Sequence, residues 1–299
     1  MDGPPVTPTP PRYWLHGLLF VATCATTWLV GGLVFAATLM AILLTHEMAH
    51  FYFARRNGVD VSLPFFIPVP IGTGTLGAVI RMRSPIQRRD ALVQVGASGP
   101  LAGLAVALPL LIVGLCASPV GPSHPGDDYL VEGNSILYIV LKLIIKGRYL
   151  PAGGLDVQLG PMAWAAWVGL LVTFINLMPI GQLDGGHVAF AFFGNRYQAW
   201  MRRLHMALVG VFACVFGVLF GVGRHAGLRL WPAARYAISG STSWLVWAGL
   251  LWLLRRMSGG LYHPEVGPEP LSRRGRAVCI LVGVVFVLLF MPVPMREGL

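Results

Sequence analysis

At 299 residues the chain is long enough for one large soluble domain or two, yet 56% of its residues are hydrophobic and only 11% are charged, against roughly 25% charged residues in an average soluble protein. This composition excludes a soluble protein and predicts a chain that crosses a membrane several times. The net charge of +10 does not indicate a nucleic-acid partner, because the basic residues form short clusters at the ends of apolar runs, where the positive-inside rule places them.

The first predicted elements are two membrane helices, at about residues 13–30 and 33–54. Each is close to the roughly 20 apolar residues that cross a bilayer. Gly31-Gly32 leaves room only for a tight turn, so the two spans should run antiparallel. Because Arg55-Arg56 closes the second span, its end is expected on the cytoplasmic side.

The next segment does not have a helical pattern. Residues 63–70 are apolar but contain three prolines, and residues 71–80 mix glycine with residues that favour strands. Apolar backbone that is not helical must satisfy its hydrogen bonds inside the protein or along a cavity when it lies within a membrane. The segment is therefore predicted to be a re-entrant β-hairpin or loop near the active site.

The remaining spans complete a fold class of all-α polytopic membrane protein with about seven transmembrane helices. They are predicted at about residues 91–117, 160–183, 204–222, 243–254 and 277–291. A shorter helix at 135–145 carries Lys142 and is followed by Lys146, and it is expected to be an amphipathic or surface helix.

The chain is divided accordingly into a tail and one membrane domain. Residues 1–12 are rich in proline and are expected to be a disordered tail. Residues 13–299 are expected to form a single integral membrane domain. Its catalytic core is placed at about 33–187, and the additional spans lie within 204–294.

One apolar run contains three ionisable residues, His46, Glu47 and His50. Residues four apart lie on the same face of a helix, so the two imidazoles can bind one metal ion. The His-Glu-x-x-His spacing is typical of zinc sites, with the glutamate beside the metal as a general base. This pattern lacks a third ligand.

Asp184 is the best candidate for that ligand. Of the 12 acidic residues, only Glu47 and Asp184 are predicted to lie in or at the end of a membrane span, where a charge is costly and usually functional. Pro179 should break the fourth span just before Asp184, and Gly185 makes the region pliable. One zinc ion per chain is therefore predicted, bound by His46, His50 and Asp184. His187, three residues after Asp184, is expected to contact the ligands and not the zinc itself.

Two motifs resemble those of the site-2 protease family of intramembrane zinc metalloproteases. His46-Glu47-x-x-His50 is similar to the first, and Asn176-x-x-Pro179-x-x-x-x-Asp184-Gly185 to the second. The resemblance extends to the bacterial and plastid subgroup without a PDZ insert. The further segments that carry it are Phe65 through Ala78, Gly96 to Pro100, Leu177 to His187, His263-Pro264 and Phe290 to Pro294.

The resemblance implies a protease that cuts a transmembrane segment of another membrane protein within the lipid bilayer, as in regulated intramembrane proteolysis. Glu47 would be the catalytic base, and Asn176 would hold the unwound substrate. The backbone of a nearby edge strand would hold it as well, at Gly72, Thr73, Gly74 and Gly77. The expected location is the bacterial cytoplasmic membrane, with the active site near the cytoplasmic side.

A second class of function stays open at this point, a non-catalytic membrane protein that binds or transports metal through the same histidines and aspartate. Glu47 separates the two classes, because binding alone does not need a carboxylate beside the metal. The substrate, any prior cleavage and the oligomeric state are not indicated by the sequence, and neither is whether the membrane is bacterial or organellar.

Overall fold

The structure is a computed structural model that describes residues 13–122, 130–194, 196–257, 266–267 and 269–298. The predicted tail at 1–12 lies outside the described residues. In chain order the elements are α1 (Tyr13–Arg56), β1 (Phe65–Pro68), β2 (Thr75–Val79), α2 (Arg89–Ala117), β3 (Val120–Pro122), β4 (Leu130–Glu132), α3 (Ile136–Lys146), β5 (Leu155–Val157), α4 (Pro161–Asn176), α5 (Asp184–Phe193), α6 (Arg196–His225), α7 (Leu230–Met257), α8 (Arg273–Leu289) and β6 (Met295–Glu297).

Four of these helices, α1, α2, α6 and α7, are long and apolar enough to cross a membrane. The membrane character and the mostly helical fold predicted from the sequence are therefore confirmed, while the count of seven spans stays a prediction. The span predicted at about 243–254 lies within a longer helix, α7, which begins at Leu230. Ala233 and Ala237 near its start are completely buried.

α1 is folded back on itself at Gly32, where φ is 78°. The His16 ring donates a hydrogen bond from Nδ1 to the Pro64 carbonyl at 3.0 Å. A straight helix would separate His16 from Arg56 by about 60 Å, but Pro64 follows Arg56 by eight residues, which reach at most about 28 Å. The two halves of α1 therefore run antiparallel, with glycine at the turn because only it adopts this φ without strain.

β1 and β2 form an antiparallel hairpin that packs on the first half of α1. Its register pairs Phe65 with Val79 and Phe66 with Ala78. At the tip, Thr26 Oγ1 donates to the Gly74 carbonyl at 2.7 Å. The hairpin itself is as predicted, whereas its entry into the membrane stays a prediction.

α2 lies at the centre of the helices and contacts α1, α4 and α5, while α6 and α7 pack mainly against each other. The core is apolar and largely aromatic where α4 meets α7 and α8. The Phe174 ring there is stacked on Phe286 and meets Trp244 edge to face. This packing places the broken connection between α4 and α5 beside α2, where the candidate site lies.

α3 exposes Ile136 and Ile144, whereas Lys142 on the same helix is buried. Its side chain is 1% exposed, and its Nζ lies 3.7 Å from Glu132 Oε1 and 3.9 Å from Asp156 Oδ1. Tyr138 also donates its hydroxyl to Glu132 Oε1 at 3.1 Å. Burial raises the pKa of the Glu132 carboxyl and lowers the pKa of the Lys142 ammonium, and mutual ion pairing is what makes their burial tolerable.

Candidate metal centre

Three side chains from two distant parts of the chain converge on one point. Asp184 Oδ2 lies 3.3 Å from His46 Nε2 and 3.2 Å from His50 Nε2. The two Nε2 atoms are 3.1 Å apart. Both histidines are buried, and the Asp184 side chain is 17% exposed.

The local fold explains why these groups meet. His46 and His50 lie one turn apart in the second half of α1, and Asp184 is the first residue of α5. α4 ends at Asn176, so Pro179 lies in the break between the two helices. A Cβ on Gly185 would overlap the Leu177 carbonyl oxygen, so glycine lets this connection fold over the start of α5. A carboxylate is favoured there by the helix dipole.

The orientation of the donors is suited to binding a cation. The His50 ring donates from Nδ1 to the Val95 carbonyl at 2.7 Å, so a neutral imidazole presents the lone pair of Nε2 to its neighbours. That lone pair faces a carboxylate oxygen and another imidazole nitrogen, and such acceptors repel each other unless a proton or a metal ion lies between them. Distances of 3.1 to 3.3 Å match the edges of a tetrahedron with zinc bonds of about 2.0 to 2.1 Å. The donor set therefore fits zinc.

Glu47 and Asn176 lie beside these donors. Both line the same cavity of about 200 Å³, and Asn176 Nδ2 is 3.4 Å from His46 Nε2. Glu47 is buried but does not belong to the group of converging donors, which consists of His46, His50 and Asp184. The cavity thus holds a carboxylate beside the three converging donors that does not belong to their group.

Two glycines of α2 have a role that the sequence did not indicate. A Cβ on Gly99 would overlap the His50 ring, and one on Gly103 would lie 3.2 Å from His46 Nδ1. Their four-residue spacing matches that of the two histidines on α1, and this match is the signal by which they could have been found.

Gly99→Ala should displace the His50 ring and strongly reduce zinc binding. Alanine favours a helix by about 1 kcal/mol over glycine, so any loss reflects the overlap and not helix propensity. A displacement of about 1 Å typically costs about 100-fold in activity. Zinc content and cleavage would be measured with Gly217→Ala as the control, since nothing lies within 4 Å of a Cβ there. Equal zinc in both variants would contradict this role.

The predicted substrate-binding residues are only partly near the centre. Asn176 lines its cavity, but Gly72, Thr73, Gly74 and Gly77 do not. The first three lie at the hairpin tip next to α1, and Gly77 lies within β2. The wall of the cavity is instead formed by Ala78, Val79 and Ile80, the end of the same strand and the residue after it.

A buried pair of histidines and an aspartate, with a glutamate nearby that is not a ligand, defines the kind of metal centre found in zinc hydrolases. The model of peptidase family M50 matches residues 34–218. The chain belongs to this family, the site-2 proteases, as its two motifs indicate.

Several chloroplast proteins are similar to this chain. The protein named probable zinc metalloprotease EGY2, chloroplastic, of Oryza sativa subsp. indica is 34% identical over 189 residues, which are 63% of this chain and 34% of the relative. The Arabidopsis thaliana protein of the same name is 33% identical over 189 residues, which are again 63% of this chain and 34% of the relative. The Arabidopsis protein named EGY1 is 35% identical over 161 residues, which are 52% of this chain and 29% of that protein.

The chain thus matches about a third of the length of these relatives, 34% in the first. No solved structure matches the chain. The relatives' names place them in chloroplasts, which conflicts with the bacterial cytoplasmic membrane expected from the sequence.

Proposed function

We propose that this protein is an intramembrane zinc metalloprotease that hydrolyses a peptide bond in or near a transmembrane segment of another membrane protein. The observation that carries the proposal is the cavity in which His46, His50 and Asp184 converge while Glu47 lies beside them. Membership of peptidase family M50 and relatives named as probable zinc metalloproteases support the same function.

The chemistry is divided among the residues of the cavity. His46, His50 and Asp184 would hold one zinc ion, which when bound supplies a positive charge that polarises the scissile carbonyl and activates water. Glu47 accepts the proton of the attacking water and passes it to the leaving amine. Burial of Glu47 keeps bulk water from competing for that proton, and the Asn176 amide is placed to hydrogen-bond the substrate backbone.

An intact helix hides its carbonyl groups, so the substrate must unwind before it is cut. Within the part of the chain that the structure describes, β2 pairs only with β1. Its other edge is available to an added strand, and Ala78 and Val79 of β2 border the cavity. The unwound substrate would therefore bind along β2 by backbone hydrogen bonds, with the hairpin tip at Gly72, Thr73 and Gly74 further from the cut.

The bilayer is the proposed setting of the reaction. The second half of α1 carries the histidines and ends at Arg55 and Arg56, which supports a centre near the basic side of the membrane. This is the cytoplasmic side in a bacterial membrane, and in an organelle it would be the side on which basic loops are retained.

The alternative function is a membrane protein that binds or transports metal without catalysis. The three donors are compatible with it, but the position of Glu47 favours hydrolysis. A carboxylate buried next to the donors and outside the ligand group costs free energy, and binding alone does not use it.

The proposed function is tested by mapping a cleavage site. The purified protein would be mixed in detergent micelles with a protein containing one transmembrane segment, and the products identified by mass spectrometry. We expect cleavage in or near the apolar segment, loss of cleavage with a zinc chelator and recovery on adding zinc. No chelator-sensitive cleavage of any transmembrane substrate would reject the proposal.

A further inference from the structure

A second, larger cavity adjoins the one that holds the metal centre. Its volume is about 530 Å³, against about 200 Å³ for the first. The two cavities share the lining residues Ile80, Met82, Gln182 and His187. A chain bound at the metal centre can therefore continue directly into the second cavity.

This second cavity has a positive lining. Arg81 and Arg83 both line it, and among the described residues no carboxylate does. Arg83 Nη1 lies 3.9 Å from Asp60 Oδ2, and both side chains are about half exposed. Such a solvated ion pair is weak, typically below about 1 kcal/mol, so it leaves Arg83 able to bind another anion. No ion pair of Arg81 occurs among the described residues.

The backbone here extends the path of β2. Arg81 accepts at its carbonyl from the Ser62 amide at 3.0 Å, and Arg83 donates from its amide to the Asp60 carbonyl at 2.8 Å. The segment is thus held on one side by residues 60–62. A strand rises about 3.3 Å per residue, so Arg83 lies within about 17 Å along the chain from Ala78, which borders the metal centre.

We propose that the second cavity is a subsite for acidic side chains of the substrate, located within about five residues of the scissile bond. This inference rests on the proposed function. A substrate strand that follows β2 past the metal centre next meets the guanidinium groups of Arg81 and Arg83. Carboxylates at that point gain charge-assisted hydrogen bonds, whereas lysine or arginine is repelled. The enzyme thereby selects among transmembrane segments by the charge of one flank.

The subsite is tested with three substrates that share one transmembrane segment. The residues next to the cut, on the side that faces Arg81 and Arg83, are acidic in the first substrate, neutral in the second and basic in the third. Each substrate is tested with the wild type and with the double variant Arg81→Glu/Arg83→Glu. The control is Arg202→Glu/Arg203→Glu, which changes the net charge by the same amount at two exposed positions of α6. All assays use detergent micelles, so that substrate orientation does not differ.

The wild type should cleave the acidic substrate with a kcat/KM about tenfold above that of the basic one, and the ratio should fall as salt screens the charges. Arg81→Glu/Arg83→Glu should reverse this order, and the control should retain it. Cleavage of the neutral substrate shows that each variant is folded. If the reversed variant is inactive on all three substrates, Arg81→Gln/Arg83→Gln replaces it and should abolish the preference.

Two other outcomes have different meanings. If the wild type cleaves all three substrates equally, or if the arginine variants leave the ratio unchanged, the subsite is rejected and these arginines serve only membrane topology. If the wild type cleaves none of them, the proposed function itself fails.

Discussion

Glu47→Gln should abolish detectable cleavage and leave about one zinc ion bound per chain. Glutamine keeps the size of the side chain and its place in the cavity, but its amide does not accept a proton from water at neutral pH. General-base catalysis typically contributes about 100-fold to 10,000-fold, which is enough to take membrane proteolysis below detection. Zinc should remain because Glu47 lies outside the group of three converging donors.

The measurement pairs metal analysis of the purified variant with the transmembrane cleavage assay. Glu297→Gln is the control, since the Glu297 carboxylate belongs to a partly exposed ion pair with Arg235 and does not line the cavity of the metal centre. Its zinc content and cleavage should stay near those of the wild type. Continued cleavage by Glu47→Gln would contradict the protease mechanism, and loss of its zinc would make Glu47 a ligand.

The parts of the site that follow from local sequence are the parts that sequence analysis predicts well. His46, Glu47 and His50 belong to one helix, where spacing alone determines which side chains share a face. Asp184 is 134 residues from His50 along the chain, yet the cost of a carboxylate at the end of an apolar span was enough to single it out. The structure brings its carboxylate to both histidines.

The parts that depend on how helices meet were not predictable in the same way. Gly99 and Gly103 face the histidine rings only because α2 packs on the second half of α1, and the sequence does not state which face of α2 meets α1. Val95 orients His50 through a backbone carbonyl, for which side-chain identity carries no signal.

The burial of Lys142, Glu132 and Asp156 was also not predictable from the sequence. The helix at 135–145 was expected to be amphipathic or at a surface, and the two acidic residues were expected in loops. The three are buried together, each near a charge of opposite sign, and that arrangement appears only when α3 and the two neighbouring strands are in place. The sorting of acidic residues by membrane depth still identified Asp184, because the buried cluster lies outside the long apolar helices.

Asp184→Asn should lose zinc as well as cleavage, in contrast to Glu47→Gln. The amide is neutral and a far poorer ligand for zinc than a carboxylate, and it leaves two imidazoles to bind a doubly charged ion. Changes in outer-shell partners alone typically cost about 10-fold to 100-fold in metal affinity, so loss of a direct ligand should cost more. Zinc would be measured by competition with a chelator of known affinity, and an excess of zinc should restore binding only in part.

Asp90→Asn is the matched control for this variant. Asp90 also lies in the first turn of a helix, α2, but its carboxylate accepts a hydrogen bond from the Ser272 hydroxyl at 2.6 Å and is not near the metal centre. Both substitutions remove one negative charge from a helix N-terminus, so any general effect on folding should appear in both. Unchanged zinc in Asp184→Asn would remove Asp184 from the ligand set. Loss of zinc in Asp184→Asn alone, with zinc retained in Glu47→Gln, would separate the carboxylate that holds the metal from the carboxylate that moves the proton.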